Sequence, residues 1–432
     1  MPILVDPTND ASPVSFSFKT IDNAGQASAN TGTATVSSTL TTMVSGKVWD
    51  DADGNLSQNG SENATNAGGP LYVNLVNASN TVVTSVSVAT DGSYSLSGVP
   101  INVTGYKLVL ASTATATTPG TLPTGWVNTG ENVDATNTAT QGSTLGVIEL
   151  AIASSAVVNQ NFGIEKMPTP GSGTATATNL GGSSAVTVPP TAFTSVSPSS
   201  DTAPGSVTAI HITAFPTNTT SLTINGTVYT SANFPVGGVT VPTDGSGIPT
   251  VPVSVNPTND SNPVVFTFTA IDNAGKESVT TGTATLNSIR VPDLTPIIYA
   301  RPSTTYNTTN ISVVVDVFEL SNVATSGLIT VKLTKDPKIT LSFPGTATSV
   351  GGRTVSNGAW SFDGELDDYY YILTTTQVVG AGNVLSFGLT GKLTPGATSG
   401  TLTLTTVIDG GSGGEVKITN NTDADKIDFF QQ

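Results

Sequence analysis

Residues 51–62, Asp-Ala-Asp-Gly-Asn-Leu-Ser-Gln-Asn-Gly-Ser-Glu, carry the side chains of this chain that are best spaced to do chemistry. Their oxygen donors fall at positions 1, 3, 5, 9 and 12 of the segment: Asp51, Asp53, Asn55, Asn59 and Glu62. A twelve-residue calcium-binding loop places its ligands at those positions, with a backbone carbonyl at position 7. Ca2+ needs several hard oxygens converging within a few ångströms, and a carboxylate at each end of a tight loop supplies them. Position 6, where such loops carry glycine, is Leu56 here. An ion held this way would be structural, not catalytic. The alternative is a plain Asx- and Gly-rich loop that turns without an ion.

Other chemistry is thinly represented. His211, the one histidine, sits in the alternation Ile210-His211-Ile212, which turns the isoleucines to a core and the imidazole outward. A triad or zinc site built on one surface histidine is not expected. Gly410-Gly411-Ser412-Gly413-Gly414 matches G-x-S-x-G, but it falls between strands with no helix after it, so it reads as a hairpin turn. Asp363, Glu365, Asp367 and Asp368 beside Trp360 and Tyr369–Tyr371 suggest either a sugar platform or a solvated acidic turn next to a core strand. Asp423, Asp425 and Asp428 read as solvated in the same way. No catalytic base, nucleophile and orienter can be assembled, and no enzyme is expected.

The composition narrows the function classes. The formal charge is −16 with only 14 basic residues, which argues against a nucleic-acid partner. Cysteine is absent, so neither disulfides nor thiolate metal sites exist. A secreted chain without disulfides needs another stabiliser: bound calcium, packing between domains, or well-filled sandwiches. No apolar run is long enough to span a membrane. No signal peptide precedes Pro2-Ile3-Leu4-Val5, so the reading is a cytosolic protein or a mature or cut piece of a longer one.

The elements that must position these residues are strands. Thr, Ser, Asn and Gly dominate the polar positions, apolar residues alternate with period 2, and turn signals recur every 8–12 residues. The expected fold class is all-β, tandem β-sandwich modules arranged as a rod. Residues 251–288 repeat residues 1–38, with 22 of 38 positions identical. The shared core runs Pro-Thr-Asn-Asp, Pro-Val-x-Phe-x-Phe, Ile-Asp-Asn-Ala-Gly and Thr-Gly-Thr-Ala-Thr. Such a repeat, with a different domain between its copies, marks an array of modules. The expected units are 1–42, the C-terminal half of an Ig-like domain, with strands at 3–5, 14–21 and 29–36; 43–166, a sandwich; 167–187, a linker; 188–290, a complete Ig-like sandwich; and 291–432, a C-terminal sandwich with strands that include 400–408 and 415–419.

Four separated segments resemble a Cna-B/Sdr B-like module: Gly46-Lys47-Val48-Trp49-Asp50-Asp51-Ala52-Asp53-Gly54, Leu71-Tyr72-Val73-Asn74-Leu75, Thr90-Asp91-Gly92-Ser93-Tyr94 and Asn161-Phe162-Gly163-Ile164. In Sdr B-like modules the loop after the first strand binds calcium, so the resemblance implies the same for Asp51, Asp53, Asn55 and Glu62. Some Cna-B modules join a Lys and an Asn by an isopeptide bond. Lys47 and Asn161 hold the matching places, but Glu149 is the one Glu in the later strands and Lys47 is out of phase with Val44 and Val48. The bond is not expected. The flanking units, with Ala214-Phe215-Pro216-Thr217 and Ile271-Asp272-Asn273-Ala274-Gly275, resemble Ig-like repeats of long Bacteroidota surface proteins. Residues 326–331 and 421–428 resemble the terminal domain of such proteins. That resemblance implies type IX secretion and a role as surface fibre, adhesin or matrix component. Asp201-Thr202-Ala203 fits a short O-glycosylation signal of the same proteins.

The expected function is a structural subunit of an extracellular, cell-surface fibre or matrix filament. The half-domain at 1–42, with Phe16 and Phe18 on one face, would be completed by strands of another copy in a head-to-tail contact. The alternative is an adhesin binding carbohydrate or another surface through the C-terminal module, with Trp360 at its contact. The expected partners are other copies of the chain, then glycans or a host or cell surface, and no nucleic acid.

Overall fold

The computed structural model describes residues 2–7, 12–133 and 144–431. Thr8, Asn9 and Asp10 of the first repeat copy lie outside the described residues. The chain is almost wholly β, and its strands form three sandwiches in series behind an N-terminal hairpin.

The hairpin pairs Val14–Phe18 with Gly32–Val36, Phe16 opposite Ala34 and Phe18 opposite Gly32. Residues 3–5 carry no strand, contrary to expectation. Two strands bury little by themselves, and Phe18 stays 48% exposed.

In the first sandwich one sheet runs Ser93–Pro100, Thr41–Asp50, Asn161–Lys166, Trp126–Asn132. Its two central strands pair in parallel, Ile164 opposite Asp50. The facing sheet runs Val82–Ser87, Tyr72–Val76, Val103–Ala111, Val147–Ile152. Alternate side chains, among them Val48, Leu75, Leu108, Phe162 and Ile164, are fully buried between the sheets.

The second sandwich begins earlier than the sequence suggested. Residues 167–187 are not a linker: Ser172–Asn179 pairs in parallel with Gly282–Arg290 along its whole length, and Val186–Thr187 joins the other sheet. Their Gly/Thr/Ala/Ser composition reads as linker because small residues are what this edge requires. A methyl group on Gly173 would strike the backbone of residues 191–195, and one on Gly171 that of 197–199. The five-stranded sheet continues through Val264–Asp272, Val207–Ile212 and Val239–Pro242. A single helical turn, Thr191–Thr194, lays Phe193 across Phe266 and Phe268, ring centroids 5.8 and 5.7 Å away. All three rings are buried.

The third sandwich follows almost without a break. One sheet runs Leu294–Arg301, Thr309–Glu319, Val384–Leu393, Ile339–Ser342; the other has six strands, including Gly400–Ile408 and Thr422–Phe430. No strand forms at 415–419. Glu415 is instead drawn inward, where it accepts the Leu294 N–H and the Asn421 side-chain amide. The joint to the second sandwich is tied by Arg290, which donates to the Asn259 and Ser321 carbonyls.

Asp423 and Asp425 are not the solvated pair expected. They accept the Ile298 and Ala300 N–H groups, each at 2.9 Å, along the edge strand Leu294–Arg301. Glu415 does the same for Leu294, and Pro296 has no N–H to offer. That edge is therefore closed to another strand. Asp428 remains exposed, accepting the Thr401 hydroxyl.

Candidate metal centre

The strand Thr41–Asp50 delivers its last residues to the end of the first sandwich that faces the second. Asp51 N–H donates to the Ile164 carbonyl and Asp50 N–H to that of Asn63, so both ends of the loop are anchored to neighbouring backbone. Between those anchors the chain folds back through turns that its own side chains close. Asp53 Oδ1 accepts the Asn55 N–H at 3.1 Å, and Asn55 Oδ1 accepts the Ser57 N–H at 2.8 Å.

Leu56 holds the left-handed conformation, φ 65°, that glycine adopts at position 6 of a calcium loop. A leucine there is strained, and three contacts impose it. Its N–H donates to Asp51 Oδ1, its carbonyl accepts from the Asn132 side-chain amide at 2.8 Å, and its side chain lies on Gly130. The turn is present although the glycine is not.

Asp51, Asp53 and Glu62 converge, one carboxylate oxygen from each lying within 4.8 Å of the others. Asp51 is fully buried and Glu62 is 7% exposed. Each spends one oxygen on the loop: Asp51 Oδ1 accepts Leu56 N–H, and Glu62 Oε2 accepts Asn59 N–H at 3.0 Å. Their second oxygens, Asp51 Oδ2 and Glu62 Oε1, are buried without a hydrogen-bond partner. Burial pushes the Glu62 carboxyl up to about 7 and raises that of Asp51. Buried carboxylate oxygens without partners are costly, and a cation between them would remove that cost. The donor set, all oxygen, fits a hard ion such as Ca2+. Asn55 and Asn59 are more peripheral. The Asn55 amide donates to Asp53 Oδ2 at 2.7 Å and the Asn59 amide to the Ser57 carbonyl at 3.1 Å.

A second acidic group escaped the sequence reading: Glu165, Asp201 and Asp272, again with one oxygen from each within 4.8 Å of the others. They come from three distant segments. No spacing could reveal them, although Asp272 lies in the repeated Ile-Asp-Asn-Ala-Gly motif.

The remaining candidates have other employment. Trp360 is buried, 6% exposed, with its ring 4.8 Å from Phe387, so it is core and no sugar contact. The acidic turn beside it closes on itself, Asp363 Oδ1 accepting the Glu365 and Leu366 N–H groups. His211 lies on the face opposite the buried Ile210 and Ile212, partly covered there; it pairs with Glu277 at 2.9 Å and with the Gly237 carbonyl. Ser412 lies in a short helical turn, with its hydroxyl on the Thr330 N–H. Asn161 Oδ1 accepts the backbone N–H of Lys47, whose side chain is exposed, while Glu149 stands exposed on the other sheet. That geometry offers no route to an isopeptide bond.

No family model and no curated protein matches the chain. Among solved structures it is similar to BcpA, the major pilin subunit of Bacillus cereus, at 8% identity over 91% of this chain and 98% of that one, TM-score 0.28. It is similar to the collagen adhesin of S. aureus at 10% identity over 52% and 80%, TM-score 0.21. A Ca2+-stabilized adhesin with which an Antarctic bacterium binds ice is similar at 14% identity over 90% and 74%, TM-score 0.22. Likeness this remote carries nothing about what the present chain binds or does.

Proposed function

We propose that this chain is a non-enzymatic structural subunit of an extracellular, cell-surface fibre or matrix filament, assembled head to tail by strand completion between copies. One observation carries the reading. Phe16 and Phe18 of the hairpin occupy the repeat positions of Phe266 and Phe268, which are wholly buried beneath Phe193. In the full copy, Val264–Asp272 is flanked by Val207–Ile212, and Gly282–Arg290 by Ser172–Asn179. The hairpin has neither flank among the described residues, and Phe18 is about half exposed. Open edges and bare aromatic faces draw a partner strand.

The donor is the C-terminal module of the next copy. Its edge at Leu294–Arg301 is closed by carboxylates, which leaves Thr304–Tyr306, Ile339–Ser342 and Ser361–Asp363 at the sheet margins. A contact of this kind is heterologous and does not close, so it builds filaments. The loop of residues 51–62 binds Ca2+ through Asp51, Asp53 and Glu62, with Asn55 and Asn59 as further oxygen donors, and stiffens the rod. The repeat signature around Ile271–Gly275 supports a surface protein exported by type IX secretion in Bacteroidota. Among the described residues no helix is long and apolar enough to cross a membrane.

Deleting residues 1–42 and imaging the purified protein by electron microscopy tests assembly. Loss of fibres with the remaining sandwiches folded is the expected result; fibres that persist would overturn strand completion. A second reading, an adhesin that contacts carbohydrate or another surface through the third sandwich, is favoured by Leu366 and Tyr369, 74% and 75% exposed at one turn. A glycan-array signal lost on Tyr369→Ala would support it.

A further inference from the structure

We infer that the junction between the first and second sandwiches holds a calcium ion of its own, bound by Glu165, Asp201 and Asp272. Glu165 belongs to the last strand of the first sandwich, Asn161–Lys166; Asp272 ends the strand Val264–Asp272 of the second; Asp201 lies in the second sandwich ahead of Val207–Ile212. The two clusters are near neighbours, because Glu165 follows Ile164, whose carbonyl anchors Asp51. The surfaces there are in contact: a methyl group built on Gly54 would come 3.0 Å from Ala274 Cβ.

The arrangement of oxygens points to a cation. Asp201 Oδ1 accepts the Thr202 N–H at 2.7 Å and Asp272 Oδ1 the Lys276 N–H at 2.7 Å, so each aspartate is fixed by its own turn. Their other oxygens, Asp201 Oδ2 and Asp272 Oδ2, are buried without a partner. Glu165 is 1% exposed, and neither of its carboxylate oxygens has a partner. Lys166 and Lys276 are close enough to act on these groups, yet neither forms an ion pair with them. Three carboxylates confined to this space cannot all stay charged and dry. Either Glu165 keeps a proton and shares it with Asp272, or a cation sits among them. Burial, and after it the neighbouring Asp272 and Asp201, push the Glu165 carboxyl up to about 9. Irregular donors from three segments suit calcium, with its flexible coordination, better than magnesium, which demands a near-ideal octahedron.

This site differs in consequence from the loop of residues 51–62. The loop's carboxylates all belong to one module, whereas Glu165 and the two aspartates belong to different ones. An ion here locks one sandwich to the next.

The test is calorimetric titration of the calcium-depleted full chain with CaCl2 at neutral pH, with MgCl2 as competitor. Glu165→Gln should abolish one binding event and leave any other intact, while Glu62→Gln should spare the junction event. X-ray scattering should show the wild-type chain becoming more flexible in chelator, and Glu165→Gln flexible in calcium too. If Glu165→Gln binds calcium with the stoichiometry and affinity of wild type, the junction holds a shared proton and the proposal fails. Asp201→Asn, at a half-buried position, repeats the test with less risk to folding; unchanged binding in that variant also overturns it.

Discussion

Asp272 ties one carboxylate oxygen into its own turn and directs the other toward Glu165, across the boundary between two sandwiches. The same division of labour occurs in Asp51 and Glu62: one oxygen holds the loop, the other is buried without a hydrogen-bond partner. Acidic residues account for the charge of −16, and at least six of them gather at this one joint.

Calcium removal is expected to lower the melting temperature of the chain. An ion present at a hundredfold excess over its dissociation constant stabilises by about 2.7 kcal/mol. Differential scanning calorimetry with and without chelator measures the shift. Asp51→Asn should reproduce much of it in calcium; a variant that melts with wild type in both conditions would remove the loop from the account.

Asp423 and Asp425 guard a sheet edge. The double change Asp423→Ala/Asp425→Ala should free the Ile298 and Ala300 N–H groups and expose the edge to pairing. Light scattering at constant protein concentration should rise against wild type, and an unchanged signal would mean that the edge needs no guard.

Glu415, 3% exposed, is pushed up to about 7 from a usual value near 4.5, chiefly by burial. The unfolded chain loses this proton first, so the folded state is favoured while the proton is held. Stability should therefore fall as pH rises from about 4.5 to about 7, by at most on the order of 3 kcal/mol. Denaturant melts across that range should show the slope, and Glu415→Gln should flatten it. A slope of opposite sign would show that the hydrogen bonds from Leu294 and Asn421 outweigh burial.

Trp360→Ala should cost about 3–5 kcal/mol through the cavity left beside Phe387. Chemical denaturation reads that loss. A variant as stable as wild type would restore Trp360 to the surface and to ligand binding.

Much of this architecture was legible because strand periodicity and turn chemistry are local. Val44, Val48, Phe266 and Phe268 alternate inward as their spacing requires. The acidic loop was legible for the same reason, since Asp51, Asp53 and Glu62, which the fold brings together, lie within twelve residues. Two kinds of feature were not. Residues 172–179 look like linker because Gly and Ala there accommodate close backbone approach, which composition cannot distinguish from flexibility. Glu165, Asp201 and Asp272 meet only through tertiary packing, and the Ile-Asp-Asn-Ala-Gly motif reads as a turn until the facing module is in place. Trp360 beside acidic residues left two readings open, because a core aromatic and a sugar platform share a sequence pattern and differ only in which way the strand faces; the side chain lies in the core.

The most direct test of the central claim is electron microscopy of the purified full chain beside Phe16→Ser/Phe18→Ser, which alters the hairpin face and leaves the three sandwiches untouched. The account predicts filaments with an axial repeat of one chain length for wild type and isolated short rods for the variant. Filaments of equal length and number in both, or monomers of wild type at every concentration tested, would contradict it.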